Sequence, residues 1–377
     1  MKIELKKRAE TARAWMFEAA FPLWAKNGLD PRNGFCEVLD LSGSPVIAPT
    51  SRVRVQARQT YSFALAKSLG WDEACSSELV AYGVETLTGH CLRDDGLYGR
   101  TMSQTGGMVD DTAELYDTAF ALLAFAWAAG AGIDKAHEAG GNVSRAIESK
   151  LMRPVVQGGY AETLPVPTDR NQNPHMHLLE ASLAESAFLG RDMAAGRIRM
   201  ISQLMQQRFR TSTGALRERF SANWGVHPDD HFEVGHQYEW VWLLHQIKGE
   251  NRVEARKLAD RLYAHALALT GPNGELFLEH TRDGHVRDGR QRCWGATEAL
   301  KAHLARHEAG DDGAGIAAVV CFDRLWALHI EGAVEGGWLD CRRMTGELLS
   351  TDIPASTGYH IFLAFAELMR VANLKIV

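Results

Sequence analysis

Apolar positions along the chain recur at helical spacing almost from end to end. Matching the i, i+3, i+4, i+7 template gives about twelve helical segments. They centre near residues 7–25, 52–69, 73–90, 112–130, 135–151, 176–190, 193–208, 236–247, 250–270, 290–307, 311–330 and 355–373. Some are apolar on most faces, as in Ala119-Phe120-Ala121-Leu122-Leu123-Ala124-Phe125-Ala126-Trp127, which predicts burial on more than one side. Between alternate helices lie short glycine-bounded pieces with strand character: Gly96–Arg100, Gly159–Glu162, Ala215–Phe220, Glu275–Glu279 and Gly337–Asp340. Most follow a turn signal such as Asp95-Gly96, Gly158-Gly159 or Asn273-Gly274.

The pattern repeats as helix, β-excursion, helix in units of roughly 55–65 residues with little sequence identity between them. Six such units closing on themselves predict an all-α (α/α)6 barrel. Six inner helices would form the core, six outer helices would shield it, and the β-excursions would crowd one end. Function is expected at that end, where loops and helix starts converge on a concave floor. No linker or charge block divides the chain, so residues 1–377 are expected to form a single domain.

Composition narrows the partners. The chain is 46% apolar over 377 residues, enough for a large core. A net charge of −6 without a Lys/Arg stripe argues against nucleic acid or an anionic membrane. Six scattered cysteines without a C-x-x-C pair predict reduced thiols and a cytoplasmic location. The charged start, Met1 to Lys7, lacks the apolar core of a signal peptide. No window approaches 18 uncharged apolar residues, so no bilayer span is expected.

The candidate chemistry centres on Gly235-His236-Gln237-Tyr238-Glu239-Trp240. This reads as a loop delivering His236 to a pocket mouth just before a buried helix. At i and i+3, Glu239 could fix the His236 tautomer and raise its basicity. The arrangement recurs as His177 and Glu180 in Asn173-Pro174-His175-Met176-His177-Leu178-Leu179-Glu180-Ala181, where proline marks a helix start. On that helix His175 and His177 would point about 200° apart, which disfavours a shared metal. A third histidine, His360, lies about one turn into an otherwise apolar final helix. Each alone is compatible with a solvated or core histidine; three on inner-helix starts of one barrel point to a shared site.

Arg54 and Arg58 share a helix face at i, i+4. They suit sugar or phosphate oxygens, or salt bridges to Glu180, Glu239 or Glu298 that close the barrel floor. Trp294 and Glu298 are also i, i+4, and Tyr116, Trp224, Trp240, Trp294 and Trp338 offer flat faces of the kind that stack on sugar rings.

Taken together, V-Q-A-R-Q-T-Y (Val55 to Tyr61), N-P-H-M-H-L-L-E-A (Asn173 to Ala181), G-H-Q-Y-E-W (Gly235 to Trp240), R-C-W-G-A-T-E-A (Arg292 to Ala299) and P-A-S-T-G-Y-H (Pro354 to His360) resemble the N-acylglucosamine 2-epimerase superfamily. The resemblance is strongest to its D-mannose isomerase branch. It implies an (α/α)6 barrel and proton transfer at the sugar C2 without metal or cofactor. By motif position it makes His236 and His360 the acid/base pair, with His177 assisting ring opening or holding substrate. Arg58 would contact the carbonyl end; Tyr116, Asn173, Glu239 and Trp294 would form the binding shell, with Arg54, Glu180 and Glu298 beside them. Val234 stands where the family often has proline, and Gly295-Ala296 where proline or glutamine is common.

The expected reaction is interconversion of D-mannose and D-fructose through an enediolate, with 2-epimerisation as the alternative from the same intermediate. The expected partner is a monosaccharide; the oligomeric state, a homodimer included, is left open. Two other classes compete: a glycoside hydrolase, for which Asp110/Asp111 and Asp229/Asp230 are candidate carboxylate pairs, and a non-catalytic binding protein.

Overall fold

The computed structural model describes residues 1–30, 32–103, 105–153, 158–167, 169–190 and 192–374. Its helices alternate between two concentric rings. The inner ring runs α3 (Val53–Ser68), α5 (Leu115–Gly130), α7 (Asn173–Phe188), α9 (Val234–Gln246), α11 (Cys293–Glu308) and α13 (Ala355–Val371), and α13 packs back on α3. The outer ring is α4 (Glu73–His90), α6 (Asp134–Ala146), α8 (Asp192–Leu204), α10 (Arg252–Leu269) and α12 (Asp312–Leu325), each packed on the inner helix before it. The sixth outer place, against α13, is taken by α1 (Lys2–Trp15), which passes through a π-helical turn into α2 (Phe21–Asn27). This is the expected (α/α)6 barrel. The all-round apolar segment is α5, buried along nearly its whole length.

The β-excursions form small antiparallel sheets at one end, but the strands meet the pieces read from the sequence only at Arg219–Phe220 and Glu279. Of those pieces, Tyr98, Tyr160 and Leu216 supply single bridges to Leu92, Met152 and Arg210. Trp338 and Leu339 lie outside any strand. Apolar side chains there plug the space between helices instead of forming ladders: Tyr98, Tyr160 and Trp338 are at most 1% exposed. The true strands are two or three residues long, and one precedes each inner helix with at most one residue between: Thr50–Arg52, Ala113–Glu114, Asp169–Asn171, His231–Glu233, Gln291–Arg292 and Asp352–Pro354. Each pins the start of an inner helix to the same end of the barrel. Val38–Asp40 pairs with Asp352–Pro354 and so joins the first excursion to the last.

The stretch Asp312–Ile330 has the length and composition of a bilayer span, with mean hydropathy 1.4, which the sequence reading did not anticipate. It carries Asp323, ion-paired to Arg8 at 2.6 Å, and packs against α11 as part of the outer ring.

Three helices are tied by a buried ion pair. Arg197 on α8, 1% exposed, bonds the carboxylate of Glu185 on α7, and its Nη2 donates to Ser144 Oγ on α6 at 2.9 Å. Glu185→Ala would leave the buried guanidinium with only Glu148, 3.3 Å from Nη1, as a counter-charge. It should cost about 3–5 kcal/mol, measured as a fall in ΔG of unfolding in urea.

Candidate active site

The inner-helix starts enclose a cavity of about 230 Å3. Of the residues expected at the site, His177, His236, His360, Arg58, Tyr116, Asn173, Glu239 and Trp294 line it; so do Glu233, Arg292, Ser356 and Thr357. His236 is not on a loop: the strand His231–Glu233 leads straight into α9, and the ring sits in that helix's first turn.

Each histidine turns Nδ1 to a carboxylate oxygen. His177 faces Glu180 at 3.2 Å, His236 faces Glu218 at 2.9 Å and His360 faces Glu298 at 2.7 Å. A carboxylate only accepts, so Nδ1 carries the proton and Nε2 is left for the cavity. Glu180 and Glu298 are therefore not lining residues but the supports of His177 and His360. Glu239 does not orient His236, although the i, i+3 spacing allowed it. The ring's Nδ1 faces back to Glu218, with Glu233 at 3.7 Å, and Glu239 turns toward His177, whose Nδ1 is 3.9 Å away. Glu239 Oε1 has no hydrogen-bond partner among the described residues. Burial first, then the charges of Glu298 and Glu180, push its carboxyl well up, so it holds its proton.

The same pairing leaves the rings in different states because burial competes with charge. For His177 burial wins over Glu180 and lowers its pKa to about 4. For His360 burial, reinforced by the positive charges of Arg58 and Lys301, drives the pKa well below the usual imidazole range. For His236 burial is outweighed by Glu218 and Glu233, which raise it to about 10. At neutral pH the cavity thus has a cationic His236 and neutral His177 and His360.

Trp294 lies between two of these rings, its centroid 5.0 Å from His236 and 5.9 Å from His360. It reaches that place because residue 235 is glycine: a Cβ there would run into the indole. The other expected sugar plates divide. Tyr116 faces the cavity, whereas Trp224, Trp240 and Trp338 are core; Trp240 Nε1 donates to Gln172 Oε1 at 2.7 Å, and Gln172 Nε2 donates to Glu218 at 2.8 Å.

Arg58 is fixed over Phe120, 4.2 Å from ring centroid to guanidinium carbon, and donates to Tyr116 Oη at 2.8 Å and Ser356 O at 3.2 Å. The expected salt bridges from Arg54 and Arg58 to Glu180, Glu239 or Glu298 are not formed. Arg54 lies behind the cavity wall, bound to Asp117 at 3.2 Å, which ties α3 to α5. Arg292 is held by Asp340 at 2.7 Å. Asn173 Oδ1 has no partner among the described residues, which leaves it able to accept from a hydroxyl.

His175 points away from His177: its Nε2 accepts from Tyr160 N at 3.1 Å and its Nδ1 donates to Asn171 O at 3.1 Å. Three sets, His177/Glu180/Glu239, Glu218/Glu233/His236 and Glu239/Glu298/His360, bring potential ligand atoms within 4.8 Å. In each the histidine nitrogen next to a carboxylate is the protonated Nδ1, so an ion there would first have to displace that proton. The carboxylates weighed for hydrolysis lie elsewhere: Asp229 and Asp230 are bound to Arg287 and Arg217, Asp110 is capped by Thr112, and Asp111 is exposed at the surface.

Sequence reading missed Glu218, Glu233 and Asp340. Arg292, Ser356 and Thr357 stand inside motifs already quoted; Glu218, 18 positions before His236, carries no periodic or motif signal.

Comparison with known proteins identifies the family. The model of the N-acylglucosamine 2-epimerase (GlcNAc 2-epimerase) family matches residues 34–364. The chain belongs to that family. It is accordingly an enzyme of the sugar isomerase and epimerase class. A protein of Rhizobium meliloti (strain 1021) called mannose-6-phosphate isomerase is 33% identical over 390 residues, covering 98% of both chains. A D-mannose isomerase of Thermobifida fusca is 28% identical over 363 residues, covering 86% of both. A solved D-mannose isomerase structure superposes with TM-score 0.86 at 20% identity over 98% of both chains.

Two outcomes follow from the geometry. In Glu218→Gln, the NMR titration midpoint of His236 should drop from about 10 toward the ordinary imidazole range. The sign extends to stability: a raised folded-state pKa stabilises fully below the unfolded imidazole range and fades as pH rises through about 10, so the variant loses stability at neutral pH. In Gly235→Ala the displaced Trp294 should raise KM and quench less at the cavity, read by substrate kinetics and tryptophan fluorescence.

Proposed function

We propose that the chain interconverts D-mannose and D-fructose by proton transfer through a cis-enediolate, all 377 residues serving one catalytic barrel. The observation that carries this reading is a neutral histidine and a cationic one on either side of Trp294 over a single sugar-sized cavity. In this scheme His360 Nε2, neutral, removes the C2 proton of the open-chain aldose. A general base of this kind contributes about 10²–10⁴-fold. The negative charge that develops on the carbonyl oxygen is met by Arg58 and the His236 imidazolium, donors fixed before reaction and worth about 10²–10³-fold each. Transfer of the hydroxyl proton from O2 to O1, between the donors that face those oxygens, and return of the carbon proton to C1 give the ketose. His177 and the protonated Glu239 lie together on the α7 side, suited to hold a ring hydroxyl or open the ring.

The substrate is taken as unphosphorylated. Both cavity guanidiniums are already engaged, Arg58 by Tyr116 and Ser356 and Arg292 by Asp340. A phosphate dianion would have to compete with these partners for the guanidinium forks.

A second reading, 2-epimerisation, is favoured by the same pair of rings: delivery from His236 back to C2 on the opposite face would give the epimeric aldose.

Proton NMR of the protein with D-mannose in D2O decides. The expected outcome is fructose with deuterium at C1; an aldose that has lost only its C2 proton would replace isomerase with epimerase, and no exchange on any hexose would end the reading. His360→Ala and His236→Ala should each reduce kcat by about 10²–10⁴-fold; near wild-type rates in either would remove that residue from the scheme.

A further inference from the structure

One turn past Glu298 on α11, beneath the cavity floor, Lys301 has no solvent exposure. Its Nζ stands 2.7 Å from Glu298 Oε2 and 4.2 Å from the centre of the Trp242 ring. The other oxygen of Glu298 accepts the Nδ1 proton of His360 at 2.7 Å. Ammonium, carboxylate and imidazole therefore form one chain of contacts that ends at the cavity. Lys301 is not among the lining residues, so it acts on a sugar only through the groups above it.

A lysine sealed from water stays charged only where carboxylates surround it. Here Glu298 and Glu180 supply that charge, with the carboxyl of Glu239 alongside, and the charged form is favoured despite burial. The dependence is mutual. Burial pushes the Glu298 carboxyl up, and Lys301 is the largest influence drawing it back down.

We propose that Lys301 is a positioning residue for the base: its ammonium keeps Glu298 ionised, which pins the His360 proton on Nδ1 and keeps Nε2 free to abstract. This rests on the reading of His360 as the base. Without the cation, Glu298 would hold a proton and donate it to Nδ1. The ring proton would then sit on Nε2, and His360 would face the sugar as a donor, unable to take a proton. The other groups facing His360 are Arg58 on α3, His177 and Glu180 on α7, Glu239 on α9, His236 across Trp294, and Tyr359 beside it. Among the described residues Lys301 is the cation in contact with Glu298.

Lys301→Met should lower kcat at neutral pH by about 10²-fold, the lower end for a lost general base, with KM little changed. The loss should be reversed at higher pH, where Glu298 gives up its proton: the acid limb of the kcat profile moves up by about one pH unit or more. A lysine that merely fills space would instead cost stability and leave the profile in place, and that result overturns the proposal. Nitrogen-15 spectra of the imidazoles give a readout that needs no substrate. Wild type should show the Nδ1–H tautomer at His360 at neutral pH and Lys301→Met the Nε2–H tautomer; Nε2–H in wild type, or no change in the variant, sinks the idea. Should Lys301→Met not fold, Lys301→Gln, neutral and nearly as long, carries the same expectations. Because the spectra are independent of turnover, failure of the sugar reading shows as an inactive wild type and is distinct from failure of this one.

Discussion

A carboxylate behind each imidazole is the constraint on which the site depends. Glu180, Glu218 and Glu298 come from α7, from the loop before Arg219–Ser221, and from α11, yet each performs the same act of fixing a proton on Nδ1. The three rings differ in what else surrounds them. Two carboxylates crowd His236, and their charge outweighs its desolvation. Arg58 and Lys301 add positive charge near His360, so desolvation wins there. One fold thereby places a cationic and a neutral imidazole across a single indole, using only the count of charges around each.

The barrel was legible because helical periodicity survives in sequence: every segment read from apolar spacing has its helix, with boundaries shifted by a few residues. The strands were not. A two-residue strand such as Gln291–Arg292 has no alternation to read, and it is a strand only because Cys341–Arg342, far along the chain, lies beside it. Glycine-bounded pieces such as Leu97–Tyr98 looked like strands because buried aromatic and aliphatic residues favour both fates.

The site divided along the same line. Residues on the first turns of inner helices were found, since helix starts at one end of a toroid must converge. Pairings between elements were not. Spacing placed Glu239 on the His236 face but could not know that Glu218 would approach from another loop. Spacing likewise put Arg54 beside Arg58 without revealing Asp117 behind it. His177 with Glu180 was readable because both partners sit on one helix, where i, i+3 geometry is fixed locally.

Ring closure sets an order on how the protein is made. Val38–Asp40 pairs with Asp352–Pro354, and α1 packs on α13, so α1 and the first excursion wait for partners made about 300 residues later. His360 rides on that last helix. A chain without α13 can hold five walls of the barrel and two of the cavity histidines, yet the third, and with it the Glu298–His360 contact, is missing until that helix docks.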